Sequence, residues 1–304
     1  GDNLMYKKLK NLTQAQTIAF GFFIMIMIGT VLLALPISSK DGQSIGIIPA
    51  LFTATSASCV TGLVVVDTYT QWSIFGQLVI ITLIQIGGLG FITLGVLFAL
   101  LLNRNIDLKQ RALIRESVNS IHIGGVVKLV KKIFIGTIAF ELAGAVLLST
   151  FFIPKLGLGR GIYYSVFHAI SAFCNAGFDL MGYRGLYSSF TGEYDLFIVN
   201  FTIMALIIIG GIGFIVWDDI SKNKLHFKKY MLHTKIVLSV TIFLVFGGAL
   251  LFYIFEKDNL FADMSMKDVM EKIGMNNRTT FTRAFKRLEG ITPNEYRILH
   301  KQIV

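Results

Sequence analysis

Charge is what this chain has least of. Only 15% of its 304 residues are Asp, Glu, Lys or Arg, where a soluble domain carries about 25%. Cysteine is nearly absent as well, with Cys59 and Cys174 the two examples. They can be read as one disulfide pair or as small residues buried in loop packing. No His/Cys/Asp/Glu cluster has metal-ligand spacing, and no catalytic triad or phosphate-binding glycine loop is present. No enzyme and no bound cofactor are therefore expected. Apolar residues fill the space instead: the chain is 54% hydrophobic, with 26 Phe and 29 Gly.

The apolar residues fall in runs close to the ~20 residues that a bilayer core requires. Five runs, Thr17–Leu35, Ile74–Leu102, Ile133–Ile153, Leu196–Trp217 and Ile236–Phe255, are each expected to span as a helix. The first is too long for a cleaved leader, and no small-residue cleavage site precedes Pro36.

A pattern occurs twice. Phe52-Thr53-Ala54-Thr55-Ser56-Ala57-Ser58-Cys59-Val60-Thr61-Gly62-Leu63 shares Phe, Ala, Ser, Ala, Cys and Gly with Phe167-His168-Ala169-Ile170-Ser171-Ala172-Phe173-Cys174-Asn175-Ala176-Gly177-Phe178, at an offset of 115 residues. Ile86-Gly87-Gly88-Leu89-Gly90-Phe91-Ile92 is echoed by Ile209-Gly210-Gly211-Ile212-Gly213-Phe214-Ile215. A fixed period means one supersecondary unit used twice. Repeat equivalence also accounts for the two cysteines as buried packing residues.

Each unit reads as span, re-entrant helix, non-helical string, span. The re-entrant stretches, Ile47–Ser58 and Gly161–Ala172, are too short to cross. Irregular backbone at membrane depth survives only where protein or a watery cavity covers it, which is the physical case for a pore. The expected fold is an all-α membrane protein with two complete span–P-loop–span units and one partial unit. In order, 1–16 is an N-terminal segment, 17–102 unit 1, 103–132 a basic linker and 133–217 unit 2. A basic loop at 218–235 follows, then the first span of a third unit at 236–257. A small soluble helix-turn-helix occupies 262–304.

Fifteen Lys and Arg lie before the first span, between spans two and three and between spans four and five. The opposite loops hold Lys40, Lys155, Arg160, Arg184 and Lys257. Basic loops stay in the cytoplasm, so a multi-pass protein with a cytoplasmic N-terminus is expected. The basic face can also hold anionic membrane lipid.

The repeats resemble the membrane subunit of the bacterial Trk/Ktr potassium-uptake superfamily, most of all its KtrB type. Ala54–Leu63 is similar to that family's first filter segment and Ser171–Phe178 to its second; the likeness covers roughly residues 12–256. It implies potassium transport across the bacterial cell (inner) membrane. K+ would be held by filter backbone carbonyls only, with no other metal. It also implies gating by a cytoplasmic nucleotide-binding regulatory ring (KtrA/TrkA-like). A dehydrated potassium ion needs a ring of oxygens in place of its water, and glycine accepts the backbone angles that this demands. The filter strands are assigned to Val60, Thr61 and Gly62, and to Asn175, Ala176 and Gly177. In plant relatives a Ser at the first glycine goes with sodium permeation, so Gly62 implies potassium preference. The re-entrant helices would aim their C-terminal dipole ends at the cation.

The glycines at 87, 88, 90, 210, 211 and 213 are read as places where helices approach or kink. Glu141, an acid inside the third span, is either an ion-path or gating carboxylate or one bonded to a neighbouring loop backbone. Asp67 either attracts cations at the mouth or is a solvated loop acid. His168 is read as a packing residue.

The string Asp268–Arg297 resembles the second helix-turn-helix of AraC-type regulators. Helices are expected at Met266–Ile273 and Asn277–Leu288, ended by Gly290 and Pro293. Arg278, Arg283, Lys286 and Arg287 are the candidate DNA contacts. The partner motif is missing, however, and five spans starting inside end outside, so DNA is not expected as a partner. The join near Phe261–Met266 reads as a fused reading frame, an assembly artefact or an engineered fusion. Two and a half of four units are expected to conduct little unless two chains pair as a homodimer. The alternatives are a membrane-tethered DNA-binding regulator and a non-functional chimera.

Overall fold

The computed structural model describes residues 13–90, 126–190, 196–224 and 226–256, and in the tail residues 282, 283, 285–287, 290–293 and 296. Among these residues every regular element is helical; the single β-bridge joins Ser39 and Trp72. The chain divides into two compact bodies, residues 1–238 and 239–304.

In the first body the two repeats build the same local arrangement. Helix α1 (Gln14–Ala34) opens with a capping box in which the Gln16 N–H donates to Thr13 Oγ1 and the Thr13 N–H to Gln16 Oε1. It stops before Pro36, which forces Leu35 into extended backbone. Helix α2 (Ile47–Ser58) packs back along α1, and after the short α3 (Thr68–Gln71), α4 (Ile74–Leu89) closes the set against both. In unit 2, α5 (Val126–Leu156), α6 (Leu158–Phe173) and α7 (Phe197–Gly211) repeat this packing. α4 also touches α6, so the units share one core through Leu33, Ile80, Ile84, Leu148, Phe152 and Phe167.

Segments Ala15–Ala34, Val127–Leu156 and Leu232–Phe252 are long and apolar enough to cross a membrane. The last belongs to α9 (Leu232–Glu256). The run Leu196–Trp217, expected as one span, is broken. α7 meets α8 (Phe214–Asn223) at a 95° bend, where Gly213 holds φ +91°. A glycine at such an angle ends one helix and starts the next without a Cβ penalty. The run Ile74–Leu102 is helical to Leu89 and turns at Gly90, φ +79°; its remainder lies outside the described residues. Lys132 and Lys222 both pair with Asp218, joining α5 to the bend of α8.

In the second body, Arg283, Lys286 and Arg287 are exposed on helical backbone, and Gly290 takes φ +74°. The Phe285 and Tyr296 rings meet edge to face at 5.5 Å. Arg278 and Met266–Ile273 lie outside the described residues.

Candidate ion filter

Both re-entrant helices end in the same hydrogen-bonded turn. In unit 1 the Cys59 N–H donates to the Thr55 carbonyl at 2.8 Å, Val60 to Ala57 at 3.3 Å and Thr61 to Ser56 at 2.9 Å. In unit 2 the Cys174 N–H donates to Ile170 at 2.9 Å, Asn175 to Ala172 at 3.0 Å and Ala176 to Ser171 at 2.8 Å. Every donor and acceptor is shifted by the repeat offset. The turn then opens through two left-handed positions, Val60 (φ +50°) and Gly62 (+75°) in unit 1, Asn175 (+59°) and Gly177 (+72°) in unit 2. Asn tolerates that region. Val does not, because its branched Cβ crowds the backbone, and such strain concentrates at functional sites.

The two turns lie against each other. A Cβ on Gly62 would sit 2.7 Å from the Ala176 carbonyl oxygen and 3.3 Å from Gly177 Cα. Neither strand could approach the other with a side chain there. The C-termini of α2 and α6, at Cys59 and Cys174, lead directly into these strands.

Side chains behind the turns fix them. Thr61 Oγ1 lies 2.9 Å from Ser56 Oγ, and Ser171 Oγ donates to the Phe178 carbonyl at 2.6 Å. Asn175 Nδ2 reaches the carbonyls of Phe173 (3.4 Å) and, on α7, Ile207 (3.3 Å). Buried His168 has Nδ1 2.8 Å from the Tyr164 carbonyl, and Nε2 accepts the Leu180 N–H at 3.1 Å. A carbonyl only accepts and an amide only donates, so the ring is the neutral Nδ1–H tautomer. It stacks on Phe152 at 5.0 Å. The scaffold serines were not singled out by sequence reasoning, although Ser56 and Ser171 coincide in the repeat; that coincidence was the available signal.

The paired glycines of α4 and α7 act at the same place. A Cβ on Gly87 would overlap the Ser58 carbonyl, and one on Gly210 the Phe173 carbonyl. α4 and α7 thus rest on the last turns of α2 and α6. Gly88 faces Cys174 of the other unit, its Cβ position 2.6 Å from Sγ. The cysteines are free thiols; Cys174 is buried but Cys59 is exposed, which corrects the expectation that both are covered.

Asp67 is not a solvated loop acid. It is 6% exposed, caps α3 through the Thr70 N–H (2.7 Å) and accepts the Tyr187 N–H of unit 2 at 3.0 Å. It pins a loop of one unit to a loop of the other. Glu141 is bonded not by a loop backbone but by a side chain: Gln85 Nε2 of α4 donates to its Oε1 at 2.9 Å, again across the two units.

The comparisons agree with this geometry. Residues 7–257 match the family model TrkH, "Cation transport protein". The chain is 46% identical over 258 residues to "Potassium/sodium uptake protein NtpJ" of Enterococcus hirae, covering 84% of this chain and 56% of that one. It is 48% identical over 247 residues to "Ktr system potassium uptake protein B" of Bacillus subtilis, covering 81% and 54%. The chain thus spans about half the length of these relatives. Residues 257–297 match "Bacterial regulatory helix-turn-helix proteins, AraC family". A 35-residue stretch is 54% identical to "Uncharacterized HTH-type transcriptional regulator YtdP" of Bacillus subtilis, covering 12% of this chain and 4% of that one. With two filter-like turns between apolar helices and a match across residues 7–257, the chain belongs to the TrkH family of cation transport proteins.

Proposed function

We propose that this chain supplies two strands of a potassium-conducting filter, Val60–Gly62 and Asn175–Gly177, in a bacterial inner membrane. The observation that carries the reading is the repeated turn, whose two glycines meet at left-handed backbone angles in an apolar helical body. Carbonyls brought together there can replace the water around a potassium ion. The helix C-termini behind them add negative potential. Asp67 and Glu141 serve this site by holding the two units in register rather than by touching the ion. The skew of basic residues supports a cytoplasmic N-terminus. The name of the Bacillus relative, protein B of a potassium uptake system, supports a further protein of such a system as partner, and the family resemblance implies that this is a cytoplasmic nucleotide-binding ring. The name of the Enterococcus relative makes sodium the competing ion to test. The helix-turn-helix likeness of the tail has no part in this function.

Growth tests it. A bacterium stripped of its own potassium importers, expressing this chain, is expected to grow at low potassium where the Gly177→Arg variant does not. Equal failure of both, with both chains found in the membrane, would contradict the proposal.

A further inference from the structure

The two turns share their main-chain bonds, yet they are not held alike. The first left-handed residue of each turn is Val60 in unit 1 and Asn175 in unit 2. Asn tolerates φ +59°, and its Nδ2 reaches the Ile207 carbonyl, which ties the second turn to α7. Val60 stands at φ +50° with a branched Cβ that opposes the angle. Its side chain neither donates nor accepts, so it cannot tie the first turn to α4 in that way. The Val60 N–H also makes the longest of the six turn bonds, 3.3 Å to the Ala57 carbonyl, against 3.0 Å from Asn175 to Ala172.

One motion relieves the strain. Turning over the peptide between Cys59 and Val60 changes ψ of Cys59 and φ of Val60 together, and it returns Val60 to a negative φ that valine accepts. The motion breaks the 3.3 Å bond. The 2.9 Å bond from Thr61 to Ser56 belongs to the next peptide and can stay. In unit 2 the same motion relieves little, because Asn175 is at ease where it is.

We infer that strand 1 is the adaptable half of the filter: the Cys59–Val60 peptide has two orientations, and a dehydrated cation selects the one that matches unit 2. Selection by the ion rests on the proposed filter; the two orientations do not. Val60 disfavours the matching orientation by about tenfold relative to Asn, which is 1.4 kcal/mol. Apparent affinity for the ion falls by the same factor, because only the matching share of the chains is ready to bind.

The sequence supplies the labels for a test. Cysteine occurs at 59 and 174, followed by Val60 and Asn175. Carbonyl-labelled cysteine combined with nitrogen-labelled valine therefore marks the Cys59–Val60 peptide alone, and combined with nitrogen-labelled asparagine the Cys174–Asn175 peptide alone. In solid-state NMR spectra of the full chain in lipid nanodiscs with choline as the cation, Cys59–Val60 is expected to give two signals and Cys174–Asn175 one. Saturating potassium should leave Cys59–Val60 with one signal. Exchanging the residues should exchange the behaviour: Asn175→Val should double the signal of unit 2, and Val60→Asn should bind rubidium-86 about tenfold more tightly than the unsubstituted chain. A single Cys59–Val60 signal in choline overturns the inference, as does rubidium binding by Val60→Asn no tighter than that of the unsubstituted chain. Two signals that potassium leaves unchanged, with no rubidium bound by either chain, would keep the two orientations and remove the filter proposal.

Discussion

Replacing Gly62 by alanine is expected to cut tracer rubidium uptake at least about tenfold, for two reasons that add. The left-handed backbone, φ +75°, costs an L-residue with a Cβ roughly 1–2 kcal/mol. A penalty of 1.4 kcal/mol is already about a tenfold shift in population. The new methyl also falls 2.7 Å from the Ala176 carbonyl oxygen and 3.3 Å from Gly177 Cα. Both are backbone atoms that cannot swing aside, so the neighbouring filter strand has to move. Gly42 is the control for left-handed strain away from the filter. It holds φ +70° with nothing within 4 Å of its Cβ position, so Gly42→Ala carries the strain without the contact. Its uptake should stay near that of the unsubstituted chain. Uptake by Gly62→Ala equal to that of Gly42→Ala would refute the filter role of Gly62.

The second large effect is structural. Gly210→Leu places a side chain on the Phe173 carbonyl, the last carbonyl before the second filter turn. α7 must then lift off the end of α6, and Asn175 loses its hold on the Ile207 carbonyl. Overpacking of this kind costs about 1–3 kcal/mol. The thermal midpoint of the detergent-extracted chain should fall by about 5 °C or more. Gly247→Leu is the matched control, since nothing lies within 4 Å of its Cβ position; it should leave the midpoint in place. An unchanged midpoint for Gly210→Leu would mean that α7 does not rest on the filter scaffold.

The repeat made the site legible. Two copies of one pattern, each beside an apolar run, pointed to Gly62 and Gly177, and both hold left-handed angles, as the proposed filter requires. The stretch expected to re-enter first, Ile47–Ser58, is helix α2. Helix ends were less legible. Hydrophobicity runs on through Gly213 without interruption; the glycine read as a place where helices approach or kink, but not as a 95° bend that ends one helix and starts the next. Partners of acids were the least legible, because a carboxylate does not announce its donor. Asp67 read equally as a mouth charge or a solvated loop acid, and neither reading foresaw that it holds an amide 120 residues away. Glu141 read equally as an ion-path or gating group or as a carboxylate bonded to loop backbone, and its donor is the Gln85 side chain of the preceding unit. In both cases the missing information was which loop or helix the fold brings opposite, a long-range fact that local pattern does not carry.

The central claim is that cations pass along the carbonyls of the two glycine turns. The most direct measurement is rubidium-86 uptake by cells without other potassium importers, with chain abundance in the membrane quantified alongside. The account predicts saturable uptake, displaced by potassium more readily than by sodium, and absent in Gly177→Arg. Uptake no greater than that of Gly177→Arg, at equal membrane abundance, would contradict it.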